Sequence, residues 1–281
     1  MHAKRVTMLS IVINFFLFLL KLAAGIAANS IAVLADATNS LLDMLYSIGV
    51  AWSVGQSHKR ADKGHPFGHA RAEPMVAFVI SMLMAIVAFE FLRTAIVGLF
   101  APEARIFTWL IGGSLIIAIL GKVLLSHEAQ TVGTKTRSPA LLATAADSRN
   151  DVLITLTALA GLVFASTGYP WVDNAAAIAI SAFLFFQAYR IGRANVNYLV
   201  GAAPPDELQL KIRELASSVL GVRGINLIRA HYVGNFVHVE IHIMVNRNIS
   251  TQASHRIAMT VQHDVERLPT VSKAFVHVEP A

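Results

Sequence analysis

The sequence contains no cysteine, which excludes disulfides and thiolate metal sites and says nothing about compartment. Charge is also scarce: Asp, Glu, Lys and Arg make up 14% of the residues, against about 25% in a soluble globular protein. With 55% hydrophobic residues, the chain has too little polar surface for water, and lipid is the natural alternative solvent. There is no internal repeat, no low-complexity tract, no His-Glu-x-x-His run, no serine-nucleophile motif and no phosphate-binding glycine loop. Those absences argue against a membrane hydrolase built on an intramembrane metal, which needs a polarised water beside a general base. The formal charge of +6 would suggest nucleic acid in a soluble protein. In a membrane protein basic residues gather in cytoplasmic loops, so their distribution decides.

What is present is a series of apolar runs. A bilayer-spanning helix needs roughly 20 mostly apolar residues, and six segments qualify: Met8 to Ala28, Ile31 to Gly55, Met75 to Phe100, Phe107 to Leu125, Leu141 to Ser166, and Trp171 to Ile191. The start, with Lys4 and Arg5 before an apolar run and Ala23 to Ala27 resembling a cleavage region, also looks like a signal peptide. Five further spans follow, so an uncleaved first helix is the better reading. Lys4, Arg5, Lys59, Arg60, Lys63, Arg71, Lys135, Arg137 and Arg193 fall on one side of the six spans, and only Arg105 falls in the opposite loops. The positive-inside rule then places both termini in the cytoplasm. The expected setting is a multi-pass protein of the cell membrane, with the bacterial plasma membrane as default.

After Gly201 to Pro205 the composition becomes that of a soluble domain, which divides the chain into 1–200, transmembrane, and 201–281, cytoplasmic. Leu208, Ile212, Leu215 and Val219 repeat at helical spacing within Asp206 to Leu220. Ile225 to Val233 and Phe236 to Val245 predict a hairpin about Gly234-Asn235, with Val237, Val239, Ile241, Ile243 and Val245 on one face. Ser254 to Leu268 predicts a helix stopped by Pro269, and Ser272 to Val278 a last strand. The expected fold is thus an α-helical membrane protein: six transmembrane helices followed by a small α/β cytoplasmic domain of two helices and a three-stranded sheet.

Carboxylates lie inside this apolar frame. Asn39 and Asp43 are four residues apart in the second span, so they share a helix face, with Asp36 on nearly the same stripe. Asp147 and Asp151 repeat the spacing in the fifth. One carboxylate near a helix centre in lipid costs about 2.5–3.5 kcal/mol even on a lenient insertion scale, and two matched pairs call for a bound cation. Arg149 lies two residues from both Asp147 and Asp151 and so points to another face. None of the 11 histidines falls well inside a span; His58 and His127 sit at cytoplasmic ends. The site is therefore all oxygen, which suits hard ions such as Mn2+, Mg2+ or Ca2+, whereas imidazole or thiolate favours Zn2+; Fe2+ lies between.

These residues carry a family resemblance along nearly the whole chain. Ser30 to Asp43 resembles the second-span signature of the cation diffusion facilitators, and Asp147-Ser-Arg-Asn-Asp151 sits where their fifth-span motif belongs. Asp62-Lys-Gly-His65-Pro-Phe-Gly-His69-Ala-Arg-Ala-Glu73 resembles their cytoplasmic loop motif, the most specific match. The resemblance implies a homodimer that exports divalent metal in exchange for protons by alternating access, with membrane lipid as solvent and no nucleic-acid partner. No cofactor is implied beyond the transported or regulatory divalent metal. Zinc-type members usually carry His or Asp where Asn39 stands and His where Asp147 stands. The combination Asn39, Asp43, Asp147 and Asp151 resembles the manganese-exporting branch, with a Zn2+ or Fe2+ exporter of the same family as the alternative. A membrane metal sensor without transport is the remaining reading.

The resemblance also implies secondary sites. Asp62, His65 and His69 match a second metal position in the loop. His242, His255, His277 and Glu279 match positions that bind regulatory metal in the tail, although Asn226 replaces a usual His. His238, Glu240 and His242 fall on the polar face of their strand, so His238, with Asp36, stands as a further candidate. Arg71 and Asp206 match a salt bridge of some members. Glu90 and Arg93 are expected to pair near the outer end, and Lys21 to snorkel or to pair with an acidic neighbour.

Overall fold

The computed structural model describes residues 2–57, 59, 61–101, 103–136 and 138–281. His58, Arg60 and Arg137 lie outside the described residues, as do the side chains of Lys4 and Arg5. Six long helices come first: α1 (His2–Ala28), α2 (Ile31–Ser57), α3 (Ala72–Phe100), α4 (Trp109–Thr136), α5 (Pro139–Ser166) and α6 (Trp171–Val200). Each is long and apolar enough to cross a membrane. At 27 to 30 residues they run about 40–45 Å, longer than a hydrocarbon core of about 30 Å. Hydropathy marks only the part that suits lipid. That is why α4 continues past Leu125 to Thr136 and α6 past Ile191 to Val200. Helix ends follow local chemistry. Asn29 takes a left-handed φ of 51° between α1 and α2, a conformation asparagine tolerates. Ser138 caps α5 by accepting from the Leu141 N–H, with Pro139 in the first turn.

The chain forms two compact units, Met1–Gly49 with Val79–Ile191, and Val50–Phe78 with Gly192–Ala281. In the first, the core is rich in small residues: Ala28, Ala32, Ala35, Ala88, Ala95, Ala158 and Ala177 join Leu115, Leu162 and Leu184. Small side chains let helix backbones approach in lipid, where association rests on van der Waals contact. Phe16, Ile117, Leu124, Leu153 and Phe186 face outward. At one end of this unit Asp173 is buried and accepts from Ser30 Oγ at 2.5 Å, the Ile31 N–H at 2.9 Å and Arg105 Nε at 2.9 Å. Arg105 also reaches Asn174 Oδ1 at 3.1 Å. Arg105, the lone basic residue that charge distribution set apart from the others, is therefore committed to a buried ion pair.

In the second unit α7 (Asp206–Ser218), β1 (Gly224–Val233), β2 (Phe236–Val245), α8 (Thr251–Glu266) and β3 (Val271–Pro280) follow in order. The sheet order is β1-β2-β3, with β1 antiparallel and β3 parallel to β2. Val237, Val239, Ile241, Ile243 and Val245 are buried against Ile212 and Ala216 of α7 and Val261 and Val265 of α8. The strand alternation thus selects the face that the helices cover. The loop after α2 belongs to this unit as well. Phe67 lies 5.9 Å from the His238 ring, centroid to centroid, and a Cβ at Gly234 in the hairpin turn would run into Ala70.

Candidate metal centres

The α2 stripe turns its polar groups inward as the helical spacing predicts. Asn39 Nδ2 donates to Asp151 Oδ1 at 2.8 Å and, more weakly, to Asp43 Oδ2 at 3.4 Å. One amide therefore bridges the carboxylates of α2 and α5. Its carbonyl oxygen, Asn39 Oδ1, is buried with no partner. Asp43, Asp147 and Asp151 all line one cavity of about 100 Å3, together with Asn14, Ser148 and Lys122. Asp151 is buried and Asp147 exposed, so the cavity has a closed inner side and an accessible one. Arg149 turns away, to Gln130 Oε1 at 3.2 Å and the Ala145 carbonyl at 3.3 Å.

Lys122 is the cavity residue the sequence reasoning missed. It is a lone cation inside the apolar run of α4, 1% exposed, and its ammonium is bonded to Asp151 Oδ2. The signal was present as a charged residue in a span, but nothing in its spacing tied it to a carboxylate on another helix. Asp36, one turn before Asn39, is taken up differently: Lys21 Nζ donates to Asp36 Oδ1 at 2.8 Å and to Ser40 Oγ at 3.2 Å. Lys21 pairs rather than snorkels, and Asp36 is not among the residues lining the cavity. Glu90 and Arg93 pair at 3.3 Å on an exposed surface.

Among the described residues, two sets of three His or carboxylate side chains bring their donor atoms within 4.8 Å of one another: Asp62, His65 and His69, and His242, His277 and Glu279. The three intramembrane carboxylates do not close to that spacing; they stand around the cavity, bridged by Asn39 and neutralised in part by Lys122. In the loop, Asp62 Oδ1 accepts from the His65 N–H at 2.7 Å, and Asp62 Oδ2 lies 3.4 Å from His69 Nε2. The His65 backbone N–H beside it holds the Asp62 carboxyl below the usual range. One carboxylate and two imidazoles in a turn made by Pro66 and Gly68 (φ 81°) fit a divalent ion.

In the tail the parallel register sets His242 opposite His277, with ring centroids 4.8 Å apart. His242 Nδ1 lies 2.8 Å from Glu279 Oε1 and His242 Nε2 3.1 Å from Glu240 Oε1. Hydrogen bonds to Glu240 and Glu279 push the His242 pKa up, and His242 and Asn226 push that of Glu279 down. Asn226 Nδ2 donates to Glu279 Oε2 at 2.9 Å, so the asparagine orients a ligand where the usual histidine would be one. Glu240 was singled out only as part of the polar face. His255 is exposed on α8, outside this cluster. His238, on the polar face of β2, is 9% exposed, with Phe67 of the loop and Phe275 of β3 beside its ring, and stands outside the cluster of His242, His277 and Glu279. Among the described ion pairs none joins Arg71 to Asp206.

Six apolar helices, four of which (α1, α2, α4 and α5) line a carboxylate-bearing cavity, followed by a small domain with a His and Glu cluster, are the architecture of a multi-pass membrane transporter of metal cations. Residues 7–200 match the cation efflux transmembrane domain and residues 204–281 the cation efflux protein cytoplasmic domain. The chain belongs to the cation efflux family, the cation diffusion facilitators, and is a metal exporter of that family. An uncharacterized transporter of Methanocaldococcus jannaschii is 34% identical over 271 residues, 96% of each chain. The manganese efflux system proteins MneS and MneP of Bacillus subtilis are each 26% identical, over 97% and 99% of this chain and 94% and 96% of their own.

Proposed function

We propose that the protein exports Mn2+ from the cytoplasm in exchange for protons, by alternating access, as a homodimer in the cell membrane with both termini cytoplasmic. The observation that carries the reading is the ligand chemistry of the intramembrane cavity. Asp43, Asp147 and Asp151 supply carboxylate oxygen, Asn39 Oδ1 is a buried acceptor without a partner, and imidazole is absent from the cavity lining. An all-oxygen donor set suits Mn2+ over Zn2+, and two relatives that match along the whole chain carry manganese efflux in their names.

Metal binding requires ionised carboxylates, so loading expels protons and proton entry from outside expels metal. Asn39 carries no proton, so coupling falls to Asp43, Asp147 and Asp151. The loop site of Asp62, His65 and His69 and the tail site of His242, His277 and Glu279 hold regulatory metal. Metal bound between the two tails tightens the dimer and promotes transport. The imidazoles of these cytoplasmic sites suit Zn2+ or Fe2+ better than Mn2+, and they support the second reading, an exporter working mainly on those ions.

The deciding experiment is proton-driven uptake of Mn2+, Fe2+ and Zn2+ into proteoliposomes, run beside Asp151→Asn. Strong Mn2+ uptake lost in the variant supports the proposal. A Zn2+ preference keeps the exporter and overturns the cargo; a variant that transports normally rules the site out.

A further inference from the structure

A lysine ammonium has no evident place in a cation site, where it competes with the cargo. Yet Lys122 of α4 lines the carboxylate cavity, bonded to the most deeply buried of its three carboxylates. Both partners are withdrawn from solvent, at 1% and 5% exposure. Removing such charges from water costs several kcal/mol per ion, so an arrangement that only filled space would be better served by an apolar side chain. The alternative is that the charge itself is used.

We infer that Lys122 is a specificity-determining residue: a tethered counter-cation that sets the valence of the ion the cavity accepts. The inference rests on the transport-site reading given above. Three carboxylates less one ammonium leave two negative charges, which a divalent ion cancels. A monovalent ion leaves the cavity negative and a trivalent ion leaves it positive, and net charge is costly on the buried side of the site, where Asp151 and Lys122 lie. The geometry allows metal and ammonium to coexist. Asp151 presents two oxygens, one held by Asn39 and the other by Lys122. When the ion takes Asp151, the ammonium needs another acceptor. Asn14 of α1 lines the same cavity, is 7% exposed, and its Oδ1 has no partner. Lys122 stays charged throughout; only its partner changes.

The test is valence preference, which a purely structural lysine would not move. Tb3+ luminescence with Mn2+ as competitor is measured on the purified full-length chain in which His65, His69, His242 and His277 are all replaced by Ala to silence the cytoplasmic sites. Relative to that background, Lys122→Met should raise the preference for Tb3+ over Mn2+ by at least about 10-fold, the effect of one unit charge a few ångströms away in a partly buried site. Lys122→Arg, which keeps the charge, should not. Because Lys122→Met leaves Asp151 without its buried partner and risks misfolding, the same step is read between Asp151→Asn and the double variant Lys122→Met, Asp151→Asn, in which no buried charge is orphaned. A step smaller than about 10-fold in the pairs that fold, or an equal step in Lys122→Arg, overturns the inference. The two readings fail separately. Mn2+ uptake abolished by Asp151→Asn with no valence step sinks only the role of Lys122, whereas uptake indifferent to Asp151→Asn sinks the transport site itself.

Discussion

Two lysine–aspartate pairs lie in the same helical unit, both buried and both joining different helices, and they serve opposite ends. Lys21 and Asp36 are wholly withdrawn from solvent, at 0% exposure each, and Ser40 accepts a further bond from the same ammonium. Neither residue lines the carboxylate cavity. Lys122 and Asp151 form the same chemical pair, but Asp43 and Asp147 line the space next to it, and Asn39 holds the second oxygen of Asp151. The first pair joins α1 to α2; the second borders the cavity proposed to take the transported ion. What distinguishes the second pair is the cavity and the two further carboxylates beside it.

The largest effect is expected from breaking the structural pair. Lys21→Met leaves Asp36 as an uncompensated buried charge and should cost about 3–5 kcal/mol, seen as a large fall in melting temperature. Replacing both, Lys21→Met with Asp36→Leu, should restore most of that stability and retain Mn2+ uptake. A stable double variant that cannot transport would break the comparison and bring Asp36 into the site. Next comes the bridge between the carboxylates: Asn39→Leu keeps the branched shape but removes the amide, and should weaken Mn2+ by about 10–100-fold, measured as the KM of uptake. A variant with unchanged KM would show that the amide only fills space.

A third acid–base pair, His242 with Glu279, extends the comparison into water. His277→Ala should leave the melting temperature of the metal-free chain almost unchanged while removing the metal-induced compaction of the dimer seen by small-angle scattering. A compaction that survives would move the sensing site elsewhere. The smallest effect concerns His238, whose pKa burial pushes below the ordinary imidazole value. A depressed folded-state pKa means the unfolded chain takes up the proton first. Stability is therefore full above the unfolded value of about 6.5 and is lost as pH falls from there through the folded value. His238→Phe should flatten that part of the melting-temperature profile; an identical slope would show that other groups carry it.

The membrane helices and the carboxylates were legible because lipid imposes strong rules: long apolar runs, and charges only where something answers them. The tail sheet was legible because Val237 to Val245 alternate so strictly. Lys122 was not, since one cation in the run around Gly121 barely lowers its hydropathy, and which carboxylate a long side chain reaches depends on α4 lying against α5. The burial of His238 was not legible for a related reason. Strand alternation assigns it to the polar face, but only the fold brings Phe67, far away in the chain, to cover that face. His242 and Glu279 became a cluster through the parallel pairing of β2 and β3, which no spacing encodes.

The loop bearing Asp62, His65 and His69 is inserted between two membrane helices, yet it is built into the same compact unit as the tail. Phe67 rests beside His238, and Ala70 closes on the hairpin at Gly234. A chain cut after Val200 would therefore not be the transporter minus a sensor. It would also strip the loop of the surface that shapes it, so lost activity in such a truncation could not be assigned to the tail's metal cluster. Point changes at His242 or His277, which leave the hairpin in place, separate the two where deletion cannot.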